Sequence, residues 1–140
     1  MRAWIVGQNE TPILGEGWYG RSHDWYGLPF RESFGRCSLR LPPIPGRTRL
    51  ILVLGSALCQ HCSSQPLIVR CGDREWSFEL TPQPSGYGWQ KVEVDLSGLC
   101  PEDEPIEIAL EPQKWRHGDY EDVQDFREVG ILLGAVMLRE

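Results

Sequence analysis

The sequence predicts an all-β protein: a two-sheet antiparallel β-sandwich, jelly-roll-like, with residues 1–140 forming one domain. Three observations lead there. Wherever the chain is regular, apolar and polar residues alternate with a period of two. Fifteen glycines and eleven prolines cut the chain into short pieces. No window carries the 3.6-residue apolar stripe of an amphipathic helix.

The elements follow in order. Glu16 to Phe34, rich in glycine and rings, reads as a long ordered loop or a pair of edge strands. Leu50-Ile51-Leu52-Val53-Leu54 is a continuous apolar run, as expected of a central strand covered on both sides. Arg70-Cys71-Gly72-Asp73-Arg74 reads as a tight hairpin, and after it Trp76, Phe78 and Leu80 alternate with Glu75, Ser77 and Glu79. Val92, Val94 and Leu96 alternate with Lys91, Glu93 and Asp95, and Ile106, Ile108 and Leu110 with Glu107, Ala109 and Glu111. Each pattern places one face in a core and one in water. Asp122 to Arg127 has room for one helical turn, and Val129 to Leu138 is a second central apolar run. Turn signals at 42–46, 81–86 and 97–98 separate these pieces.

Charge and composition exclude several classes of partner. A formal net charge of −6 argues against nucleic acid, which asks for a basic face. Twelve arginines and only two lysines, Lys91 and Lys114, are dispersed without a polybasic block, so an anionic membrane surface is not expected either. No segment reaches the roughly 18 apolar residues of a spanning helix, and the apolar part of the N-terminus is short for a secretory signal. Five cysteines cannot all pair within one chain. Together these features lead to the expectation of a cytoplasmic location.

Two stretches concentrate chemistry. Trp18-Tyr19-Gly20-Arg21-Ser22-His23-Asp24-Trp25-Tyr26-Gly27 holds four large rings in nine positions. Exposed rings beside Arg, Asp and His suit the apolar faces and hydroxyl edges of a sugar. The alternative is a lid in which Trp18 and Trp25 fold back over the end of the sandwich. The second stretch runs from His117 to Gly130, an acidic, aromatic-dotted loop carrying Asp119, Tyr120, Asp122 and Asp125 ahead of the last strand. It admits three readings: contacts to sugar or a structural Ca²⁺, paired carboxylates for glycoside hydrolysis, or an Asp125–Arg127 ion pair that ties the loop to the final strand. The Cys59-Gln60-His61-Cys62 sequence lacks the second ligand pair of a zinc knuckle, so no metal ligand is assigned. Neither a nucleophile elbow nor a phosphate loop occurs, and no catalytic residue is assigned.

Several short pieces resemble a known family. Gly17-Trp18-Tyr19-Gly20 with Trp25, Pro29-Phe30-Arg31, Ser38-Leu39-Arg40-Leu41-Pro42, and Asp125-Phe126-Arg127-Glu128-Val129-Gly130-Ile131 are similar to small β-sandwich domains of bacterial surface-polysaccharide biosynthesis. Those domains accompany glycosyltransferases and methyltransferases. The likeness runs from about Gly15 to Leu138 and departs at Arg31-Glu32-Ser33, where the family often has Trp after Arg. It implies a jelly-roll-like, non-catalytic module akin to carbohydrate-binding modules, and it points at Trp18, Trp25, Arg31, Asp125 and Arg127.

The first expectation is therefore a glycan-binding or glycan-associated sandwich. Rings of Trp18, Trp25, Tyr26, Trp115 and Tyr120 would stack on sugar, and Arg31, Asp119, Asp125 and Arg127 would take its hydroxyls. A second is an interaction module that docks a partner enzyme or forms a homo-dimer. A small glycoside hydrolase using Asp122 and Asp125 ranks third.

Overall fold

The computed structural model describes residues 2–23, 27–43, 49–56, 64–81, 88–99, 103–119 and 124–139. Among the described residues, ten strands, all paired antiparallel, make two sheets: β1 (Arg2–Ile5), β2 (Trp18–His23), β3 (Pro29–Ser33), β4 (Cys37–Leu41), β5 (Arg49–Ser56), β6 (Gln65–Cys71), β7 (Arg74–Leu80), β8 (Gln90–Asp95), β9 (Ile106–Pro112) and β10 (Ile131–Arg139). The larger sheet runs β2-β3-β10-β5-β8, with β1 beside the second half of β10; the smaller runs β4-β9-β6-β7. Most consecutive strands lie in opposite sheets, as a jelly-roll-like sandwich requires.

Alternation explains the core. Leu50, Leu52 and Leu54 of β5, Val92 and Val94 of β8, and Ile131, Leu133, Val136 and Leu138 of β10 meet Leu39, Leu67, Val69, Ile106, Ile108 and Leu110 from the other sheet. The hairpin read from Arg70 to Arg74 is present, with Cys71 opposite Arg74 and Gly72 at φ +58°, a value that favours glycine. On β7 the alternation holds, but Trp76 and Phe78 are only half-buried because that strand is an edge. The described residues of Glu16 to Phe34 form β2, an edge strand, and β3, which pairs with β2 on one side and with β10 on the other.

Two expectations need correction. Of the helical turn read at Asp122 to Arg127, the described part, Gln124 to Arg127, is not helical, while Asp122 and Val123 lie outside the described residues; the only turn in this loop among the described residues is a 3-10 turn at His117–Asp119. The outer face of β5 and β10 is covered only in part. Near the start of β10 a second apolar cluster of Phe30, Trp115, Val129 and Leu132, with Tyr19 and Trp89 against it, closes that face. Further along, Val53, Ala135 and Met137 are half-buried because none of the described residues forms a helix layer over them.

One end of the sandwich, where β2 begins and β3 and β9 end, is pinned by buried polar groups. Gln65 is fully buried; its amide donates to the carbonyls of Gln113 (2.8 Å) and Gly130 (2.6 Å), and its oxygen accepts from Ser56 Oγ (2.7 Å). Ser33 Oγ accepts from Ile131 N at 2.9 Å. The loop between β9 and β10 is therefore clamped at both ends.

Candidate functional site

The β9–β10 loop has a narrow neck. Trp115 and Val129 exchange two backbone hydrogen bonds, at 2.9 and 2.8 Å, and the amide of Gly118 donates to the carbonyl of Asp125. These bonds hold Asp125, Arg127 and Glu128 on a short, fixed arm. Asp125 accepts from Arg127 Nε (3.1 Å) and Nη2 (3.2 Å), so the ion pair expected from the sequence is present. This hydrogen bonding holds the Arg127 guanidinium above its ordinary pKa, so it remains charged.

The arm meets the start of β2. Tyr19 donates its hydroxyl to the carbonyl of Glu128 at 2.8 Å, and the Arg127 guanidinium stands 5.3 Å from the centre of the Tyr19 ring. Phe34, 42% exposed, packs against Tyr19 with ring centres 4.9 Å apart and planes inclined by 60°. Lys114 Nζ closes the group with an ion pair to Glu128 at 3.2 Å. Partial burial raises the Tyr19 phenol; Arg127 opposes that rise, and Glu32, Glu128 and Asp125 add to it. The result is a ring wall of Tyr19 and Phe34 beside two internally compensated ion pairs. Such a surface offers apolar faces and charge-assisted hydrogen bonds, a combination that suits the C–H faces and hydroxyls of a polyol.

The sequence-derived residues scatter around this patch. Asp125 and Arg127 lie in it. Asp119 is on the same loop, exposed and paired with Arg116 at 3.1 Å. Trp18 faces inward: its indole donates to the Ser38 carbonyl at 2.9 Å and its ring packs on the main core. Trp115 is 5% exposed within the second apolar cluster and has no ring face to offer. Arg31 is turned to the inner side, where it pairs with Glu10. Trp18, Arg31 and Trp115 thus serve the framework, because rings and charges at the rim of a sandwich find partners before they find water. Trp25, Tyr26 and Tyr120 lie outside the described residues, as do Asp122 and the Cys59–Cys62 pair. The far end of β2, at His23, is roughly 15 Å from Trp18 at the usual strand rise.

Tyr19, Phe34, Lys114 and Glu128 went unchosen in the sequence. Period two from Phe30 through Glu32 to Phe34 was the available signal for Phe34, since Phe30 lies on the outer face. For the others no local pattern marks the meeting of loop and strand. Among the described residues no group of three or more His, Cys, Asp or Glu side chains could hold a metal ion. A separate hollow of about 590 Å³ lies on the open half of the six-stranded sheet, lined by Ile5, Leu28, Pro29, Val53, Trp89 and Ala135. It is strongly apolar, with Gln8 and the Trp89 indole as the hydrogen-bonding side chains of its described lining.

The fold defined here is that of the carbohydrate-binding-module β-sandwiches. The chain superposes on a family 35 carbohydrate-binding module from Clostridium thermocellum with a TM-score of 0.58 at 9% identity, over 100% of this chain and 99% of that one. A family 35 module from an environmental isolate gives 0.58 at 12% identity, covering 100% and 93%. A family 6 module from Clostridium stercorarium, solved in complex with cellobiose, gives 0.53 at 8%, covering 99% and 93%. No protein-family model matches the sequence, and no curated protein matches it.

Proposed function

We propose that this protein is a non-catalytic carbohydrate-binding module whose ligand, a neutral oligosaccharide, lies on the Tyr19–Phe34 ring wall. The observation that carries the reading is the junction of that wall with Asp125, Arg127 and Glu128 at one end of the sandwich. The fold likeness to modules that bind carbohydrate supports it. Pyranose C–H faces would pack on the rings, while the Asp125 and Glu128 carboxylates accept from hydroxyls and Arg127 donates to them. Following the family resemblance, we further propose an accessory role beside a glycosyltransferase or methyltransferase of polysaccharide biosynthesis, in the cytoplasm. A glycan array run with and without Ca²⁺ tests the reading. Binding that Tyr19→Ala and Arg127→Ala each weaken supports it; an array without signal for the parent protein contradicts it.

A second reading, association of two copies, is favoured by the apolar hollow, whose rim carries the exposed Ile5 and Leu28. Sedimentation should then show a concentration-dependent dimer that Leu28→Ser abolishes.

A further inference from the structure

The two strands beneath the ring wall place like charges face to face. Arg21 of β2 pairs directly with Arg31 of β3, an arrangement that repels unless an acid stands between the two. Glu10, on the segment after β1, supplies it. The residue is 1% exposed, accepts from Arg21 Nε (2.9 Å) and Nη2 (3.0 Å) and from Arg31 Nε (3.0 Å), and takes the Gly7 amide at 3.1 Å. Arg31 then has a nitrogen to spare. Its Nη1 donates to the backbone carbonyl of Tyr19 at 3.2 Å.

That carbonyl lies in an irregular part of β2. Between the pairs Trp18–Ser33 and Arg21–Arg31, β2 advances three residues while β3 advances two, so β2 carries a bulge at Tyr19 and Gly20. A bulge breaks the alternation and re-aims a side chain, and it leaves a backbone group without its ladder partner. Here Trp18 turns to the core and Tyr19 turns outward to Arg127, Phe34 and Glu128. The Arg31 guanidinium, itself fixed by a buried carboxylate, caps the bulge from behind.

We infer that Glu10 and Arg31 are positioning residues for the ring wall: together they hold the β2 bulge that aims Tyr19. The inference rests on the reading of the Tyr19 patch as the glycan site. Arg21 supplies the contrast. It shares the same carboxylate but makes no hydrogen bond to the bulge, so a purely structural ion-pair cluster would respond alike to loss of either arginine.

The test uses protein with ¹³C-labelled tyrosine rings, the Tyr19 signals being assigned through Tyr19→Phe. Arg31→Met, Arg31→Lys and Arg21→Met are compared for Tyr19 ring shifts, melting temperature and affinity for the best oligosaccharide from the array. Arg31→Lys keeps a cation for Glu10 but cannot also reach the Tyr19 carbonyl in the same geometry, because an ammonium lacks the planar fork. Both Arg31 variants are expected to shift the Tyr19 ring signals and weaken glycan binding by roughly tenfold. Arg31→Lys should stay folded near the parent melting temperature. Arg21→Met should leave the ring signals and the affinity unchanged, even where it lowers the melting temperature. Unmoved Tyr19 signals in Arg31→Lys, or equal shifts in the Arg21 and Arg31 variants, would overturn the inference. Should the ring move only in the Arg31 variants while the parent protein binds no glycan, the positioning role stands and the carbohydrate reading falls.

Discussion

Gln65→Met isolates what holds the site loop in place. The substitution keeps the length and unbranched shape of the side chain while deleting three hydrogen bonds. Ser56 Oγ loses its buried acceptor and the Gly130 carbonyl loses a buried donor; the Gln113 carbonyl, on a more exposed residue, turns to solvent. Two buried groups left without that partner cost about 1–3 kcal/mol each. Greater apolarity of Met returns roughly 1 kcal/mol, so the net loss should be about 3 kcal/mol. For a chain of this size that lowers the melting temperature by roughly 6–12 °C. Urea unfolding followed by tryptophan fluorescence should show an earlier midpoint with an unchanged slope. Ser56→Ala removes the other end of the Ser56–Gln65 hydrogen bond, so the double variant should be less destabilised than the two single effects added together. A loss below about 1 kcal/mol, or strict additivity, would refute the reasoning. Because Gln65 grips the loop at both ends, the same variant should weaken ligand binding without touching the ring wall.

Three other outcomes are expected. The Glu10 carboxyl sits below the usual glutamate value of 4.5: burial raises it, but the hydrogen bonds from Arg21, Arg31 and the backbone outweigh that. Its stabilisation is therefore fully present above pH 4.5 and lost as pH falls through its lower folded value. Glu10→Gln should flatten that acid limb in pH-dependent unfolding, and an unchanged limb would contradict the assignment. Burial pushes the Cys37 thiol up to about 12, so peptide mapping after iodoacetamide at pH 8 should find Cys37 unmodified until the protein is unfolded. Gly17 has φ +92°, and a Cβ there would lie 2.3 Å from the Arg36 carbonyl oxygen. Gly17→Ala should cost more than about 2 kcal/mol in thermal unfolding, whereas Gly20→Ala, which meets nothing within 4 Å, should fall within about 0.5 kcal/mol.

The sandwich was legible because burial on one face imposes a two-residue period that any reader can count. Trp76-Phe78-Leu80 and Ile106-Ile108-Leu110 declare both strand and inward face. Edges are less legible: nothing in the alternation of β7 says that Trp76 and Phe78 stay half open, since that depends on which strand ends the sheet. The site was legible in part. Asp125 and Arg127 stand two apart and can pair locally, so the sequence carries their contact. Tyr19 and Glu128 are 109 positions apart and meet only because β3 lies between β2 and β10. Trp18 misleads for a related reason. Its neighbour across the bulge takes the outward position, and a bulge leaves no trace in composition. Glu10 gives no sign in its own neighbourhood that two arginines from a later hairpin will surround it.

The most direct test of the central claim is a ¹H–¹⁵N titration of the labelled protein with the oligosaccharide that the array selects. Shifts should concentrate at Tyr19, Phe34, Lys114 and Asp125 to Glu128, and Tyr19→Ala should remove them. Shifts confined to Ile5, Leu28, Val53 and Trp89 around the apolar hollow, or an unperturbed spectrum at millimolar sugar, would contradict the account.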